Sequence, residues 1–326
     1  MTDILKRKTD HLDLVLKQRL ESESPANPWD QVQLTHNALP ERDLLRFDLS
    51  TEFLGKPLRL PFLISSMTGG PSEAEKINAH LAEAAEDLGI AMGVGSQRIA
   101  LLNAGSNGLT NNLRSWAPTI PLYSNLGASQ LLHDLSIDEI KRAVDIITAD
   151  ALIIHLNCLQ ELMQGGGDTD WRGILDAIET VCACLDVPII VKEVGMGISA
   201  ATASRLINVG VKAIDVAGKG GTNFIEVEAS RASDPRLKAL GEIFKDWGIS
   251  TPEAVRSIRS KLPDVPLIAS GGIRHGLDAA KAIKLGANVV AQAGPVLQAA
   301  TESTQAVFDH FKFMEFALRT GLACSD

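Results

Sequence analysis

The chain has 326 residues, of which 45% are hydrophobic, so it can bury a large core in one domain or two. Its formal net charge is −9 and no basic stripe alternates with aromatic residues, which argues against nucleic acid as the main partner. No hydrophobic run approaches the roughly 20 residues of a membrane span, and the charged start MTDILKRKTDHLDL lacks a signal-peptide core, so a cytoplasmic protein without a membrane partner is expected.

Eight short hydrophobic runs, each followed by a helical pattern, make up most of the chain. The runs are rich in Val, Ile and Leu and do not alternate with polar residues, which is typical of parallel strands buried on both faces. In chain order they are LPFLISS (60–66), IAMGVG (90–95), PLYSNLG (121–127), ALIIHLN (151–157), VPIIVKEV (187–194), VKAIDVAG (211–218), PLIASGG (266–272) and ANVVAQAG (287–294).

Eight β/α units within residues 58–300, close to the about 250 residues typical of that fold, predict a TIM (β/α)8 barrel. A doubly wound parallel sheet is the alternative. Residues 1–57 fit no β/α unit and are predicted to be an N-terminal extension packed on the barrel. Residues 58–326 are predicted to form the barrel and its C-terminal helices.

Two capping boxes mark predicted helix starts, one at Ser136 and Glu139 and one at Ser250 and Glu253. In the second, Pro252 stands early in the helix, where its missing N–H does no harm. Other helical patterns cover residues 72–88, 171–185, 198–209 and 276–287.

Polar residues cluster at the carboxyl ends of the predicted strands, where TIM barrels carry their active sites. A few Gly, Ser and Asn residues are ordinary in such loops, but this set is richer in functional groups. It comprises Ser96, Gln97, Arg98, His155, Asn157, Gln160, Glu161, Lys192 and Thr222.

Glycine-rich loops after the last three strands predict an anion site. DVAGKGGTNF (215–224) offers backbone N–H groups and few side chains. SGGIR (270–274) and LGANVVAQAG (285–294) belong to the seventh and eighth strands, where barrels commonly bind phosphate. We predict the phosphate of a bound cofactor here; tight glycine turns without a ligand are the alternative.

Two patterns that suggest other chemistry are weak. VGMGISA (194–200) fits G-x-G-x-x-A, and Asp215 lies 20 residues after Gly195, as in a dinucleotide-binding motif. The strand count on either side favours a barrel instead. The cysteines show neither C-x-x-C pairing nor zinc spacing, so reduced thiols are expected rather than a metal site or a catalytic cysteine. They are Cys158, Cys182, Cys184 and Cys324.

His155 and Asn157 are two residues apart on a predicted strand, so both are expected to face the barrel mouth. Gln160 and Glu161 follow in the next loop. Glu161 is a plausible Mg²⁺ ligand, since Mg²⁺ usually binds one or two carboxylates and substrate phosphates. A structural histidine and a solvated surface carboxylate are the alternatives.

Arg7, Lys8 and His11 form a basic group near the N-terminus, and Arg7 and His11 would share one face of a helix. From these residues alone, an exposed basic patch is the simpler interpretation.

Seven segments together resemble the type 2 isopentenyl-diphosphate isomerases, an FMN-dependent family with a TIM-barrel fold. The similarity runs over nearly the whole chain. The segments are RKTDH (7–11), SSMTGG (65–70), GVGSQR (93–98), HLNCLQE (155–161), VKEVGMGIS (191–199), DVAGKGGT (215–222) and SGGIRHGLD (270–278).

This resemblance implies an isomerase of isoprenoid biosynthesis that interconverts isopentenyl diphosphate and dimethylallyl diphosphate. The reaction would be a 1,3-proton shift with reduced FMN as acid and base, since no side chain here is an obvious acid of adequate strength. The resemblance also implies Mg²⁺, NAD(P)H as flavin reductant, and a homo-tetramer or homo-octamer.

The resemblance further implies roles for individual residues. FMN would contact Ser66, Met67, Thr68, Ser96, Asn125, Lys192 and Thr222, with its phosphate on Gly271, Gly272, Arg274, Ala293 and Gly294. The substrate would be bound by Arg7, Lys8, His11, Ser96, Gln97, Arg98, His155, Asn157 and Gln160, with Mg²⁺ on Glu161. The catalytic set would be Gln160, His155 and Asn157.

Two other functions remain open at this point. A 2-hydroxy-acid oxidase on the same fold would need a histidine base, but GKGGTNF after the sixth strand contains none, and His275 is expected to point away. A barrel that binds flavin or phosphate without catalysis is the second alternative, and a turnover assay would decide it.

Overall fold

Eight parallel strands close into a barrel, which confirms the predicted TIM (β/α)8 fold. The structure is a computed structural model that describes residues 27–41, 43, 46–67, 74–102 and 109–326. Each predicted hydrophobic run contains one barrel strand: β3 (Phe62–Ile64), β4 (Ala91–Gly93), β5 (Leu122–Gly127), β6 (Ala151–His155), β7 (Ile189–Lys192), β8 (Ala213–Asp215), β9 (Leu267–Ser270) and β10 (Val289–Gln292). A doubly wound sheet is excluded because β10 pairs with both β9 and β3 and leaves no edge.

Strand side chains alternate between the barrel interior and the surrounding helices, because successive residues of a strand face opposite sides. Leu63, Tyr123, Ile153 and Ile268 belong to one buried cluster that fills the interior. Outward residues such as Ile64 join the larger core beneath the helices. The middle of the barrel is therefore packed, and polar side chains collect at its two ends.

A hairpin closes the amino-terminal end of the barrel. It consists of β1 (Thr51–Phe53) and β2 (Lys56–Leu58), which pair in antiparallel fashion. Phe53 and Leu58 belong to the interior cluster. Lys56 Nζ lies 2.9 Å from Asp150 Oδ1, directly before β6. Residues 1–26 lie outside the described part, so the division into an extension of residues 1–57 and a barrel of residues 58–326 stays a prediction.

Within the described ranges, fourteen α-helices surround the strands. They are α1 (Ala74–Leu88), α2 (Arg98–Leu102), α3 (Asn112–Trp116), α4 (Ala128–His133), α5 (Ile137–Asp145), α6 (Cys158–Met163), α7 (Ile174–Cys184), α8 (Ala200–Asn208), α9 (Phe224–Arg231), α10 (Pro235–Phe244), α11 (Thr251–Lys261), α12 (Gly276–Lys284), α13 (Gly294–Glu302) and α14 (Thr304–Ala323). None of these described helices is both long and hydrophobic enough to cross a bilayer.

One of the two predicted capping boxes forms. At α5, Ser136 Oγ accepts the Glu139 N–H, and the Glu139 carboxylate accepts the Ser136 N–H at 2.8 Å. The box at Ser250 and Glu253 is wrong: Ser250 is the N-cap of α11 but makes no side-chain cap bond. Its backbone instead forms a parallel bridge with Lys219. A tertiary contact thus takes precedence over the local capping pattern.

Candidate active site

Polar side chains meet in the barrel mouth at the ends of three neighbouring strands. His155, Lys192 and Asp215 are register partners across β6, β7 and β8, so they share one face of the sheet. This face is the interior, because Ile153, two residues before His155, belongs to the interior cluster. The fold therefore places two predicted site residues beside a buried carboxylate that the sequence analysis had considered only within a dinucleotide motif.

A hydrogen bond to Asn125 orients the ring of His155. His155 Nδ1 lies 2.9 Å from Asn125 Oδ1, so Nδ1 carries the hydrogen of this bond. Gly127 leaves room for the ring, since a Cβ there would come within 3.0 Å of His155 Nε2. Two predicted site residues, His155 and Asn125, are thus coupled directly.

Lys192 and Asp215 are both buried and shift each other's ionisation. Burial lowers the pKa of Lys192, and the charges of Asp215 and Glu193 oppose that shift. Burial raises the pKa of Asp215, against the effects of Lys192 and of Ser270, whose hydroxyl bonds Asp215 Oδ1 at 2.5 Å. Lys192 Nζ itself donates to the Glu193 carbonyl at 2.5 Å. The mouth therefore holds a buried lysine and a buried carboxyl group that influence each other's ionisation.

The loop after β6 brings the predicted Asn157, Gln160 and Glu161 together. β6 ends at His155, and Asn157 is the N-cap of α6, so the other two side chains lie in the first helical turn. Asn157 Nδ2 donates to Glu161 Oε1 at 2.8 Å. Gln160 Nε2 donates at 2.9 Å to Glu228, which Arg231 pairs at 2.8 Å. Asn157 Nδ2 also lies 3.4 Å from Gln160 Oε1, so Asn157, Gln160 and Glu161 form one connected group.

Glu161 offers one carboxylate to a metal. Its Oε2 also accepts the Asp168 N–H at 3.2 Å. Among the described residues, no cluster of three or more His, Cys, Asp and Glu side chains could hold a metal ion. Mg²⁺ often binds through a single carboxylate, waters and substrate phosphates, so Glu161 fits a Mg²⁺ that binds together with a phosphorylated substrate.

Several buried polar atoms at the carboxyl end of the barrel lack hydrogen-bond partners. They are Ser66 Oγ, both amide atoms of Gln97, Asn157 Oδ1 and Asp215 Oδ2. Gln97 is 0% exposed. An unsatisfied buried group costs about 1–3 kcal/mol, so such groups usually bind a ligand or an ordered water. Their number and position fit a polar cofactor in the mouth.

The backbones of the loops after β8 and β9 are in close contact. A Cβ on Gly221 would lie 2.9 Å from the Gly272 nitrogen, and one on Gly271 would lie 2.1 Å from the Gly218 carbonyl oxygen. Gly271 and Gly272 also have φ values of +99° and +75°, which favour glycine. Together with Thr222 next in the chain, this crossing forms a cradle of backbone groups, the chemistry expected for a phosphate site.

The start of α13 adds a helix N-terminus beside this cradle. Ala293 is the N-cap and Gly294 is the first helical residue. Arg274 is already engaged, since its guanidinium lies 2.5 Å from Asp30 and 3.1 Å from Asp278. The fit to a phosphate therefore rests on backbone groups more than on Arg274.

The remaining predicted residues are placed as follows. Arg98 pairs with Asp134 at 2.7 Å, and Ser96 Oγ lies 3.5 Å from the Arg98 nitrogen. Met67 is partly buried against the core. Arg7, Lys8, His11 and Thr68 lie outside the described residues. The roles of all predicted site residues stay predictions.

Neither the dinucleotide motif nor His275 offers a site for other chemistry. Because the sheet is a closed barrel, the dinucleotide interpretation of VGMGISA is excluded, since that motif belongs to an open doubly wound sheet. His275 caps α12, where its ring accepts the Asp278 N–H at 3.3 Å. Its side chain is 44% exposed.

Sequence analysis missed three residues beside the site. Glu228 lies on α9 and is 2% exposed, yet in the sequence it looks like any helical carboxylate. Asn27 and Trp29 bond the carbonyls of the loop after β9. The signal for this pair was NPWD, in which Asn27 precedes a proline and caps a short 3₁₀ helix, Pro28–Gln31.

Comparisons with known proteins agree on one family. The model of the family described as FMN-dependent dehydrogenase matches residues 5–118 and 157–324. The chain is 56% identical to the isopentenyl-diphosphate delta-isomerase of Xanthobacter autotrophicus over 98% of this chain and 92% of that protein. It is 53% identical to the enzyme of the same name from Stutzerimonas stutzeri, over 99% and 93% of the two chains.

Solved structures share the fold at lower identity. A mandelate oxidase mutant with the monooxide FMN adduct superposes with a TM-score of 0.63 and 16% identity, over 94% of this chain and 90% of that one. A mandelate oxidase with 3,3-difluoro-2-hydroxy-3-phenylpropionic acid gives 0.63 and 17%, over 99% and 93%. At this identity the likeness concerns the fold alone.

Proposed function

The chain belongs to the isopentenyl-diphosphate delta-isomerases of the FMN-dependent dehydrogenase family, and from this premise we propose that it interconverts isopentenyl diphosphate and dimethylallyl diphosphate in isoprenoid biosynthesis. The double bond moves from C3–C4 to C2–C3. One proton is added at C4 and one leaves C2, so substrate and product have the same oxidation state. NAD(P)H would then serve only to reduce the flavin.

The observation that carries this proposal is the set of unsatisfied buried polar atoms beside a backbone cradle. Ser66 Oγ and the Gln97 amide lie where a cofactor in the mouth would give them partners. Reduced FMN supplies an electron-rich ring face and a ring nitrogen able to carry the proton. The residues that would hold the flavin are Ser66, Met67, Thr68, Ser96, Asn125, Lys192 and Thr222, with the phosphate on Gly271, Gly272, Arg274, Ala293 and Gly294.

Lys192 is the residue that would favour negative charge on the flavin. Its ammonium is buried in the mouth, where a positive charge interacts more strongly than in water. Asp215, its register partner, opposes the loss of its proton. Lys192 would therefore provide a fixed counter-charge for negative charge on a bound reduced flavin.

The groups around β6 would bind and orient the substrate. His155, held by Asn125, and Asn157, held by Glu161, would face the diphosphate and the allyl portion. Gln160 would move or orient a proton near C2, at a position set by its bond to Glu228. Arg7, Lys8, His11, Ser96, Gln97 and Arg98 would complete the substrate site, with Mg²⁺ on Glu161.

The test is turnover of isopentenyl diphosphate by protein reconstituted with FMN and reduced with dithionite. Formation of dimethylallyl diphosphate supports the proposal. Oxidation of a 2-hydroxy acid without isomerisation would establish the alternative enzyme, and flavin binding without either reaction would establish a non-catalytic barrel.

Glu161→Gln tests the metal site, because it keeps the size of the side chain and removes its charge. We expect a large rise in the Mg²⁺ concentration needed for half-maximal activity, with FMN affinity nearly unchanged. Asp168→Asn, in the same loop, is the control and should keep the normal Mg²⁺ dependence. Normal dependence in Glu161→Gln would place the metal elsewhere.

The proposal extends to the assembly and its location. We expect a homo-tetramer or homo-octamer in the cytoplasm, as the resemblance implies. Light scattering of the purified holoprotein measures the assembly directly, and a monomer at micromolar concentration would contradict it.

A further inference from the structure

A short N-terminal segment holds the glycine loop after β9 from behind. Asn27 Nδ2 donates to the Gly272 carbonyl at 2.7 Å, and Trp29 Nε1 donates to the Gly271 carbonyl at 3.1 Å. Trp29 is 0% exposed and Asn27 is 5% exposed. Both donor side chains are therefore shielded from competing water.

The segment is itself held in a fixed orientation. Asn27 Oδ1 accepts the Trp29 N–H at 3.0 Å, which leaves Nδ2 as the donor towards Gly272. Lys281 Nζ donates to the Trp29 carbonyl at 2.6 Å, and Asp30 pairs with Arg274 at 2.5 Å. The segment is thus bonded to Arg274 and to α12 as well as to the glycine loop.

These two bonds fix the direction of two backbone N–H groups. In a trans peptide the N–H points opposite to the carbonyl of the same plane, and no cis peptide occurs in the described chain. Since the carbonyls of Gly271 and Gly272 point at Trp29 and Asn27, the N–H groups of Gly272 and Ile273 point away from them. A Cβ at position 221 would lie 2.9 Å from the Gly272 nitrogen. Because Gly221 has no Cβ, this nitrogen stays accessible on that side.

We propose that Asn27 and Trp29 are positioning residues for the flavin phosphate, which aim the Gly272 and Ile273 N–H groups at it without touching it. This inference rests on the proposed flavin site. Successive N–H groups aimed at one point bind anions well, so the aim of the two peptide planes sets the affinity for the phosphate. The flavin ring system, held by other strands, does not depend on them.

The test compares FMN with riboflavin, which has the same ring system but no phosphate. Flavin-free protein is titrated with each flavin, and dissociation constants are taken from the quenching of flavin fluorescence. Trp29→Phe removes the indole N–H and keeps most of the ring. Asn27→Ser keeps a capping oxygen but is too short to reach Gly272.

We expect each variant to weaken FMN binding by roughly 3- to 10-fold, the effect of one lost hydrogen bond, with riboflavin affinity unchanged within about twofold. Trp171→Phe is the matched control, because the Trp171 indole also donates to a loop carbonyl, that of Asp168, at 3.0 Å. It should leave the FMN-to-riboflavin ratio of the wild type intact.

The outcomes separate this inference from the proposed function. Equal losses for FMN and riboflavin, or no loss for either, would overturn the positioning role. The same change of ratio in Trp171→Phe would overturn it too. A wild type that binds FMN no better than riboflavin would overturn the phosphate cradle itself. If Trp29→Phe does not fold, the FMN-to-riboflavin affinity ratio of Asn27→Ser alone tests the positioning role.

Discussion

The two ends of the barrel differ in how their buried polar side chains are bonded. At the amino-terminal end, Arg114 donates to the carbonyls of Ala117, Ile120 and Thr148 and pairs with Asp150 at 2.8 Å. At the carboxyl end, the amide of Gln97 and the Ser66 hydroxyl have no partner. The amino-terminal end is bonded mainly within the chain, with Arg114 Nε and the Tyr123 hydroxyl as its unsatisfied groups, while the carboxyl end leaves more polar atoms without partners.

This difference assigns different physical roles to the two ends. Bonded groups at the amino-terminal end hold the loops and the hairpin together, as expected for the stabilising end of a TIM barrel. Unsatisfied groups at the carboxyl end lower the stability of the flavin-free protein and become favourable only with a ligand. Stability and binding are thus separated along the barrel axis.

The largest expected effect comes from breaking the bonded end. Arg114→Met leaves Asp150 with one fewer cation and three carbonyls without their donor, so we expect a loss of about 3 kcal/mol in the free energy of unfolding. Urea denaturation measures it, and FMN affinity should not change. Arg236→Met is the control, since the Arg236 side chain is 90% exposed in its pair with Asp234 and its loss should cost less than about 0.5 kcal/mol. Equal losses of unfolding free energy in Arg114→Met and Arg236→Met would contradict a stabilising role for the amino-terminal end.

The next effect concerns the buried charges at the open end. In flavin-free protein, Lys192→Met leaves Asp215 without a cation and should cost about 2 kcal/mol near pH 8. Lys192→Met with Asp215→Asn removes both charges and should recover most of this loss. The loss of the cation raises the pKa of Asp215 further, so above about pH 4, the ordinary pKa of an aspartate, the folded single variant binds more protons than the unfolded chain and its stability should fall as pH rises. Equal stability of single and double variants would mean that the two groups do not interact.

A smaller effect of opposite sign tests the unsatisfied amide. Gln97→Leu removes a buried group that has no partner, so flavin-free protein should gain about 1 kcal/mol while substrate KM rises. Gln292→Leu is the matched control, because Gln292 is equally buried but bonds the Ile273 carbonyl at 2.9 Å and His310 at 2.8 Å. It should lose stability. A loss of stability in Gln97→Leu would show that the Gln97 amide makes favourable hydrogen bonds in the flavin-free protein, which would contradict the comparison of the two ends.

The smallest effect is the acid dependence of the bonded end. Burial would raise the pKa of Asp150, but the Leu122 N–H, Lys56 and Arg114 outweigh it and hold the pKa below its ordinary value. The stability that this carboxylate contributes is present above about pH 4 and is lost as pH falls through the lowered pKa. In Asp150→Asn, unfolding free energy should decline less steeply from pH 5 towards pH 3. Unchanged steepness would exclude Asp150 from the acid response.

The strands were predictable because each one is a compact hydrophobic run with polar or glycine ends, as ALIIHLN shows. The same runs placed His155 and Lys192 at strand ends. The capping box at Ser250 failed because Lys219, 31 positions away, holds that backbone in a bridge. Asp215 received no role from the sequence, because its neighbours across the barrel are set by strand register, which a motif does not contain.

Residues that act through distant contacts were beyond sequence reasoning. Glu228 meets Gln160 across 68 positions, and nothing in FIEVEAS distinguishes it from a surface carboxylate. Asn27 and Trp29 show no hydrophobic period that would tie them to SGGIR. Such contacts depend on where the closed barrel places its loops, not on local propensity.

The bonds from Asn27 and Trp29 join residues 245 and 242 positions apart in a chain of 326 residues. Closing a flexible loop of this length would cost on the order of 5 kcal/mol in chain entropy, so these bonds cannot nucleate folding. They form only after the eight strands have closed the barrel and brought the ends together. Recovery of FMN affinity during refolding therefore indicates that the barrel has closed. A fragment that ends before residue 271 can form helices but should not bind FMN with the affinity of the full chain.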